Sequence, residues 1–137
     1  MQDFMTDDFE ITKISLACYV GAGKGALIHK NRPFHGLALH LSGIKEYIFE
    51  ECRHVIVKKN NIIYIPKNSS YVVKTIEAGD CYAVNFDIYE TVSFKPFVFS
   101  VKNSNLFIES FKTANSVWRK KPNGYHMKCK AELYNII

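Results

Sequence analysis

A regular rhythm of turn signals restricts this chain more than any other feature. Between Phe9 and Val101, clusters of glycine, proline, asparagine and aspartate interrupt it at intervals of about 8 to 12 residues, the spacing of an antiparallel sandwich or barrel. Gly21-Ala22-Gly23-Lys24-Gly25, Asn31-Arg32-Pro33, Ser42-Gly43, Asn60-Asn61, Pro66-Lys67-Asn68-Ser69-Ser70 and Ala78-Gly79-Asp80 are the breaks, with a further hairpin around Glu51-Cys52-Arg53. A parallel α/β fold needs a crossover of a dozen or more residues between strands, and no interval here has room for one. The segments between the breaks alternate as strands do. Ile14, Leu16, Cys18 and Val20 are expected on one face of a first strand, and Leu37, Leu39 and Leu41 on one face of a later one. Further strands are expected over 26–29, 47–49, 54–57, 62–65, 71–76 and 81–88.

After Val101 the period changes from two to that of a helix. Phe107, Phe111, Ala114 and Trp118 form a first stripe, with Asn103 or Ser104 as cap, and Lys121-Pro122-Asn123-Gly124 stops it. Met127, Ala131, Tyr134 and Ile137 form a second stripe, which meets the last residue with neither a Gly or Asn cap nor a closing basic turn, so the chain is expected to continue. The expected organisation is a β-barrel over 1–102 and a helical segment over 103–137 packed on it as one unit. With 137 residues, 47% of them apolar, the chain is large enough to bury a core without staples.

Charge and cysteine usage narrow the function classes. The net charge of +5 comes from six basic residues, Lys112, Arg119, Lys120, Lys121, Lys128 and Lys130, between Glu109 and Glu132 with no acid among them. The remainder carries 12 basic and 13 acidic residues, so the barrel is near neutral and the basic stretch reads as a solvated or domain-contact surface, not a DNA groove contact. Cys18, Cys52, Cys81 and Cys129 include no close pair, which suits a reducing cytoplasm and gives no zinc or dithiol motif. No apolar run approaches the roughly 20 residues of a membrane span, and no secretion signal opens the chain.

Candidate chemistry is sparse. The glycine cluster at 21–25 lacks the first glycine of a phosphate loop and has Gly25 where the magnesium-binding Ser or Thr would follow Lys24. Five histidines, His29, His35, His40, His54 and His126, are the candidate metal ligands. Three stretches then carry a resemblance: Arg32-Pro33-Phe34-His35-Gly36-Leu37-Ala38-Leu39-His40-Leu41-Ser42-Gly43, Tyr64-Ile65-Pro66-Lys67-Asn68-Ser69-Ser70-Tyr71 and Gly79-Asp80-Cys81-Tyr82-Ala83-Val84-Asn85-Phe86. In that order they resemble the sensing domains of AraC-type transcription regulators, and Trp118, Gly124-Tyr125 and Lys128-Cys129-Lys130-Ala131 resemble the helical linker that follows, so the likeness spans 30–137. It implies a mainly β fold: a cupin-like barrel (double-stranded β-helix, or jelly roll) followed by two helices. Metal-binding cupins share the likeness, but Gly36 stands where their Glu would be, the His pair would fall near His29 and Asn31, and Tyr71 takes the second-motif His position. No metal site, cofactor or catalytic residue is therefore expected.

A barrel without a metal still has an interior. If the former ligand positions point inward, parity places Gly36, Ala38, His40 and Ser42 inside, with Tyr71, Val73, Cys81, Ala83 and Asn85, and sends Leu37, Leu39 and Leu41 toward the helices. Small residues beside a few polar anchors leave room for a ligand. The expected binding residues are Arg32, Ala38, His40, Tyr71, Val73, Cys81, Ala83 and Asn85, Arg32 because the resemblance implies a comparable Arg-Pro at the effector site of the family's sugar sensors. The resemblance further implies a cytoplasmic homodimer formed through the helices, with Phe107, Phe111, Trp118, Met127 and Tyr134 as interface candidates. It implies a small polar effector, plausibly a sugar, and DNA contact only through a helix-turn-helix domain that this chain lacks. Two other classes remain open at this stage: a small cupin-like enzyme, such as a sugar isomerase or epimerase using His40 and Tyr71, and a stand-alone carbohydrate module.

Overall fold

The computed structural model describes residues 9–23, 26–50, 53–89 and 95–137. Lys24 and Gly25 of the glycine cluster, and Glu51 and Cys52 of the expected hairpin, lie outside the described residues. Nine strands are described: β1 (Ile11–Val20), β2 (Ala26–His29), β3 (His35–His40), β4 (Ile44–Phe49), β5 (Arg53–Val57), β6 (Asn61–Ile65), β7 (Tyr71–Glu77), β8 (Cys81–Ile88) and β9 (Phe97–Ser100). They form a five-stranded sheet in the order β1-β8-β3-β6-β9 and a four-stranded sheet in the order β2-β7-β4-β5, with every pair antiparallel. Strands taken almost in turn by the two sheets make a jelly roll, as expected. The turns use the residues the rhythm marked: Asn60, Asn68 and Gly43 have φ of 66°, 69° and 80°, where Asn and Gly are the tolerant residue types.

The core has two compartments. Ala38, Tyr47, Phe49, Val57, Ile63 and Val73 face each other between the sheets. On the outer face of the larger sheet, Leu37, Leu39, Tyr64, Val84 and Phe86 meet two helices, α1 (Ser104–Lys120) and α2 (Tyr125–Ile136). Leu37 and Leu39 thus point to the helices, as parity required. Strand β1 departs from the expected pattern. Register irregularities between Ile11 and Lys13 and between Ile14 and Leu16 send Ile11, Ile14 and Ala17 toward the helices, while Leu16 lies opposite Asn85 and Cys18 opposite Ala83. A bulge adds a residue and resets the alternation, so Ile14 does not share a face with Leu16, Cys18 and Val20.

Helix α1 buries Phe111 and Ala114, with Phe107 and Trp118 partly covered. It ends at Lys121, whose left-handed conformation (φ 50°) lets its N–H close on the Val117 carbonyl at 2.9 Å. In α2 the buried stripe is Cys129, Leu133 and Ile136, not Met127, Ala131 and Tyr134. Both sets have helical spacing; Cys129, its thiol 3.6 Å from the Ala114 carbonyl, packs as a small apolar residue in the same buried cluster as Leu133 and Ile136. The interface candidates on the two helices differ in exposure. Phe111, 1% exposed, is enclosed in the chain's own core and unable to meet a partner, whereas Met127 and Tyr134 are exposed. The Tyr134 hydroxyl accepts the Ile11 N–H at 2.7 Å and ties α2 to β1. Among the described residues no helix is long and apolar enough to cross a membrane.

Candidate functional site

The two sheets part at the end where their edge strands β1 and β2 lie, and a cavity of about 240 Å³ opens between them. Its back is made of small residues, because Gly36 and Ala38 of β3 pair with Asn85 and Ala83 of β8 across one ladder. The facing wall is Tyr47 of β4 with Tyr71 and Val73 of β7, and partly exposed Val20 and Leu27 form an apolar rim.

Arg32 is fixed before it reaches the cavity. Its backbone N–H donates to the Ser69 carbonyl at 3.0 Å, and its carbonyl accepts from Asn68 at 2.7 Å, so the loop after β2 is pinned to the loop after β6. From there the guanidinium passes over the Phe34 ring, 5.1 Å from its centroid. Nη1 donates to the Tyr71 hydroxyl at 2.8 Å and Nη2 donates to Asn85 Oδ1. Gly36 makes this path possible, since a Cβ there would lie 2.5 Å from Arg32 Nη2.

Seven of the eight expected binding residues line this cavity: Arg32, Ala38, Tyr71, Val73, Cys81, Ala83 and Asn85. His40 is the exception. It points inward as parity required, but at the end of β3 its Nε2 lies 3.2 Å from the Tyr47 hydroxyl, so Tyr47 forms the wall there and His40 is not among the lining residues. Burial, aided by the positive charge of Lys45, lowers its pKa to about 4, and its Nδ1 has no hydrogen-bond partner among the described residues. Tyr47, Lys45, Cys18 and His29 also line the cavity and were not anticipated; the His29 ring stacks on Tyr71 with centroids 4.8 Å apart.

Burial shifts five of the cavity's ionisable groups toward their neutral forms. Burial raises the pKa of Tyr47, Tyr71, Cys18 and Cys81 and lowers that of His29, on which Arg32 acts in the same direction. His35 belongs elsewhere: its Nδ1 lies 2.7 Å from the Tyr64 hydroxyl on the helix side of the sheet, and burial lowers its pKa to about 4. Among the described residues no three His, Cys, Asp or Glu side chains are grouped so as to hold a metal ion. The site offers a fixed guanidinium, two tyrosine hydroxyls and an amide set in apolar walls, which is equipment for binding.

No protein-family model matches the sequence, and no curated protein matches it significantly. Solved structures share its fold. ToxT from Vibrio cholerae, bound to an unsaturated fatty acid, superposes with a TM-score of 0.58 at 6% identity, over 93% of this chain and 53% of that one. The same protein bound to (E)-4-(8-methylnaphthalen-1-yl)but-3-enoic acid gives 0.57 at 10% identity, over 91% and 54%. YhaK from Escherichia coli gives 0.51 at 14% identity, over 63% and 40%. The chain spans about half the length of ToxT and less of YhaK. The fold is therefore a cupin-like barrel shared with ToxT and YhaK.

Proposed function

We propose that this chain is the effector-sensing and dimerisation part of an AraC-type, cytoplasmic transcription regulator, and that a small molecule occupying the cavity beside Arg32 is its signal. The carrying observation is the pinned Arg32 guanidinium, with Tyr71 and Asn85, at the back of a cavity open to solvent between β1 and β2. The printed ligands of ToxT support a small-molecule site in this fold. Strand β3 supplies a route for the signal: Gly36 and Ala38 face the cavity while Leu37 and Leu39 pack under α1 and α2. An effector that prefers one arrangement of wall and helices shifts the population toward it by its difference in affinity. The helices pair two copies, and DNA contact belongs to a helix-turn-helix domain outside this chain. A sugar, the finer expectation, would set hydroxyls against Tyr71 and Asn85.

Thermal unfolding against a metabolite library tests this. A ligand at about 100 times its Kd adds roughly 2.7 kcal/mol, a rise of several degrees for a domain of this size. Arg32→Ala is expected to abolish the rise. Turnover of the stabilising ligand would favour an enzyme instead, and a library without any stabilising member would refute the effector site.

A further inference from the structure

Two thiols meet in the wall of the cavity. Cys18 of β1 and Cys81 of β8 both line it, and both are free cysteines. The register sets them diagonally across one ladder: Cys18 lies opposite Ala83 and Cys81 opposite Val20, so both project from the same face of the sheet. They are near enough for Cys18 to act electrostatically on Cys81. Diagonal positions in an antiparallel pair lie roughly 7–8 Å apart, past the roughly 7 Å between Cα atoms at which a disulfide ceases to close. A metal ion between the sulfurs removes that obstacle, since it replaces one S–S bond of about 2.05 Å with two metal–sulfur bonds of roughly 2.3 Å each.

The donors and the charges around them select the ion. Among the described residues no third His, Cys, Asp or Glu joins the two cysteines as a ligand, whereas zinc takes four protein ligands in structural sites and three in catalytic ones. Two thiolates alone suit a soft, closed-shell ion that accepts two-coordinate geometry, and thiolate ligands favour copper(I). Binding releases both thiol protons to water and leaves one monovalent cation between two thiolates, a complex with a net charge of −1. Each thiol has a cation beside it, Arg32 acting on Cys18 and Lys45 on Cys81, both in the direction that favours the thiolate. The ion pairs among the described residues are His54–Glu46 and Lys67–Asp87, so neither of these cations is matched to an acid. A divalent soft ion would form a neutral complex and leave their charge uncompensated. Neither cysteine stands where metal-binding cupins place a ligand, positions held here by Asn31, Gly36 and Tyr71. We propose that Cys18 and Cys81 form a two-coordinate site for copper(I) on the β1–β8 wall of the cavity. The site stands independently of the effector reading above.

The test titrates the whole reduced chain with copper(I), supplied in acetonitrile under nitrogen, in competition with glutathione. One ion per chain is expected to stay on the protein, with X-ray absorption showing two sulfur neighbours. Cys18→Ser and Cys81→Ser should each weaken retention by more than the roughly 10–100-fold that loss of an outer-shell partner costs at a metal site, while Cys52→Ser and Cys129→Ala leave it unchanged. The melting temperature of each variant without copper separates lost ligation from lost folding, and Cys18→Ala, at the less buried of the two positions, serves where Cys81→Ser does not fold. Copper held no more tightly than by glutathione, binding that survives in the Cys18→Ser/Cys81→Ser double variant, or a nitrogen neighbour in the absorption spectrum would each overturn the site. So would a Cys18–Cys81 disulfide formed in the folded chain on mild oxidation, because the spacing of the two positions forbids it.

Discussion

Acid is expected to weaken this fold through His40 before it reaches the carboxylates. The ring is 1% exposed and, among the described residues, its Nδ1 lacks a partner and the Tyr47 hydroxyl is the hydrogen-bonding group beside it, so taking a proton would bury a poorly compensated charge. Burial, with Lys45 adding to it, holds the folded pKa at about 4 against an ordinary 6.5. Below pH 6.5 the unfolded chain binds this proton and the folded one does not. Stability is therefore complete above pH 6.5 and is lost progressively as pH falls toward 4. At about 1.4 kcal/mol per pH unit between the two values, His40 alone accounts for roughly 3 kcal/mol. His35, also lowered to about 4 by burial, acts in the same direction. Asp80 does not interfere, because hydrogen bonds from Ser42 and Tyr19 hold its pKa below 3.8 and its share fades only at lower pH. Urea unfolding from pH 7.5 to 4.5 measures the effect, with His40→Gln as the variant that keeps a polar group near Tyr47 but cannot titrate. The wild type should lose stability across this window and the variant should lose about 3 kcal/mol less. Parallel curves would show that His40 is not the group responsible, and the burial argument would fail.

The helices give two further tests. Leu133 is fully buried where α2 meets α1 and the sheet, so Leu133→Ala should cost about 2–5 kcal/mol in denaturant unfolding. Met127, 68% exposed, should tolerate Met127→Ser within about 0.5 kcal/mol in the monomer; the proposed pairing of two copies through the exposed side of α2 predicts a weaker dimer in sedimentation, and an unchanged self-association would move the interface elsewhere.

How legible the fold was follows from what sets each feature. Turn chemistry is local, so asparagine and glycine at left-handed positions were readable, and with them most strand positions. The bulges in β1 are not local. They arise from fitting ten residues, Ile11–Val20, against the eight of β8, Cys81–Ile88, and nothing in the spacing of Ile14 and Leu16 announces the shift. The rotation of α2 was equally hidden, since its composition supports two apolar stripes and only packing against α1 and β1 selects the one through Cys129, Leu133 and Ile136.

The cavity was more legible than the helix faces because it is built from an absence. Gly36, Ala38 and Ala83 are too small to fill the space between two sheets, and strict alternation along β3 and β8 put them on one face without knowledge of the other sheet. What needed the other sheet was missed: Tyr47 and Lys45 alternate with Glu46 and Ile48 on β4, and only the pairing of Tyr47 with Val73 turns that alternation into a cavity wall. His40 was misjudged for the same reason, since the depth at which Tyr47 closes the cavity is set across the barrel and not along β3. All six residues of β3 are buried, the odd-numbered side under the helices and the even-numbered side toward the interior. A strand packed on both faces has little freedom to move one without the other. A ligand that presses on Gly36 or Ala38 therefore acts on the same backbone that carries Leu37 and Leu39, and this makes the helical layer the natural place to look for the response to an effector.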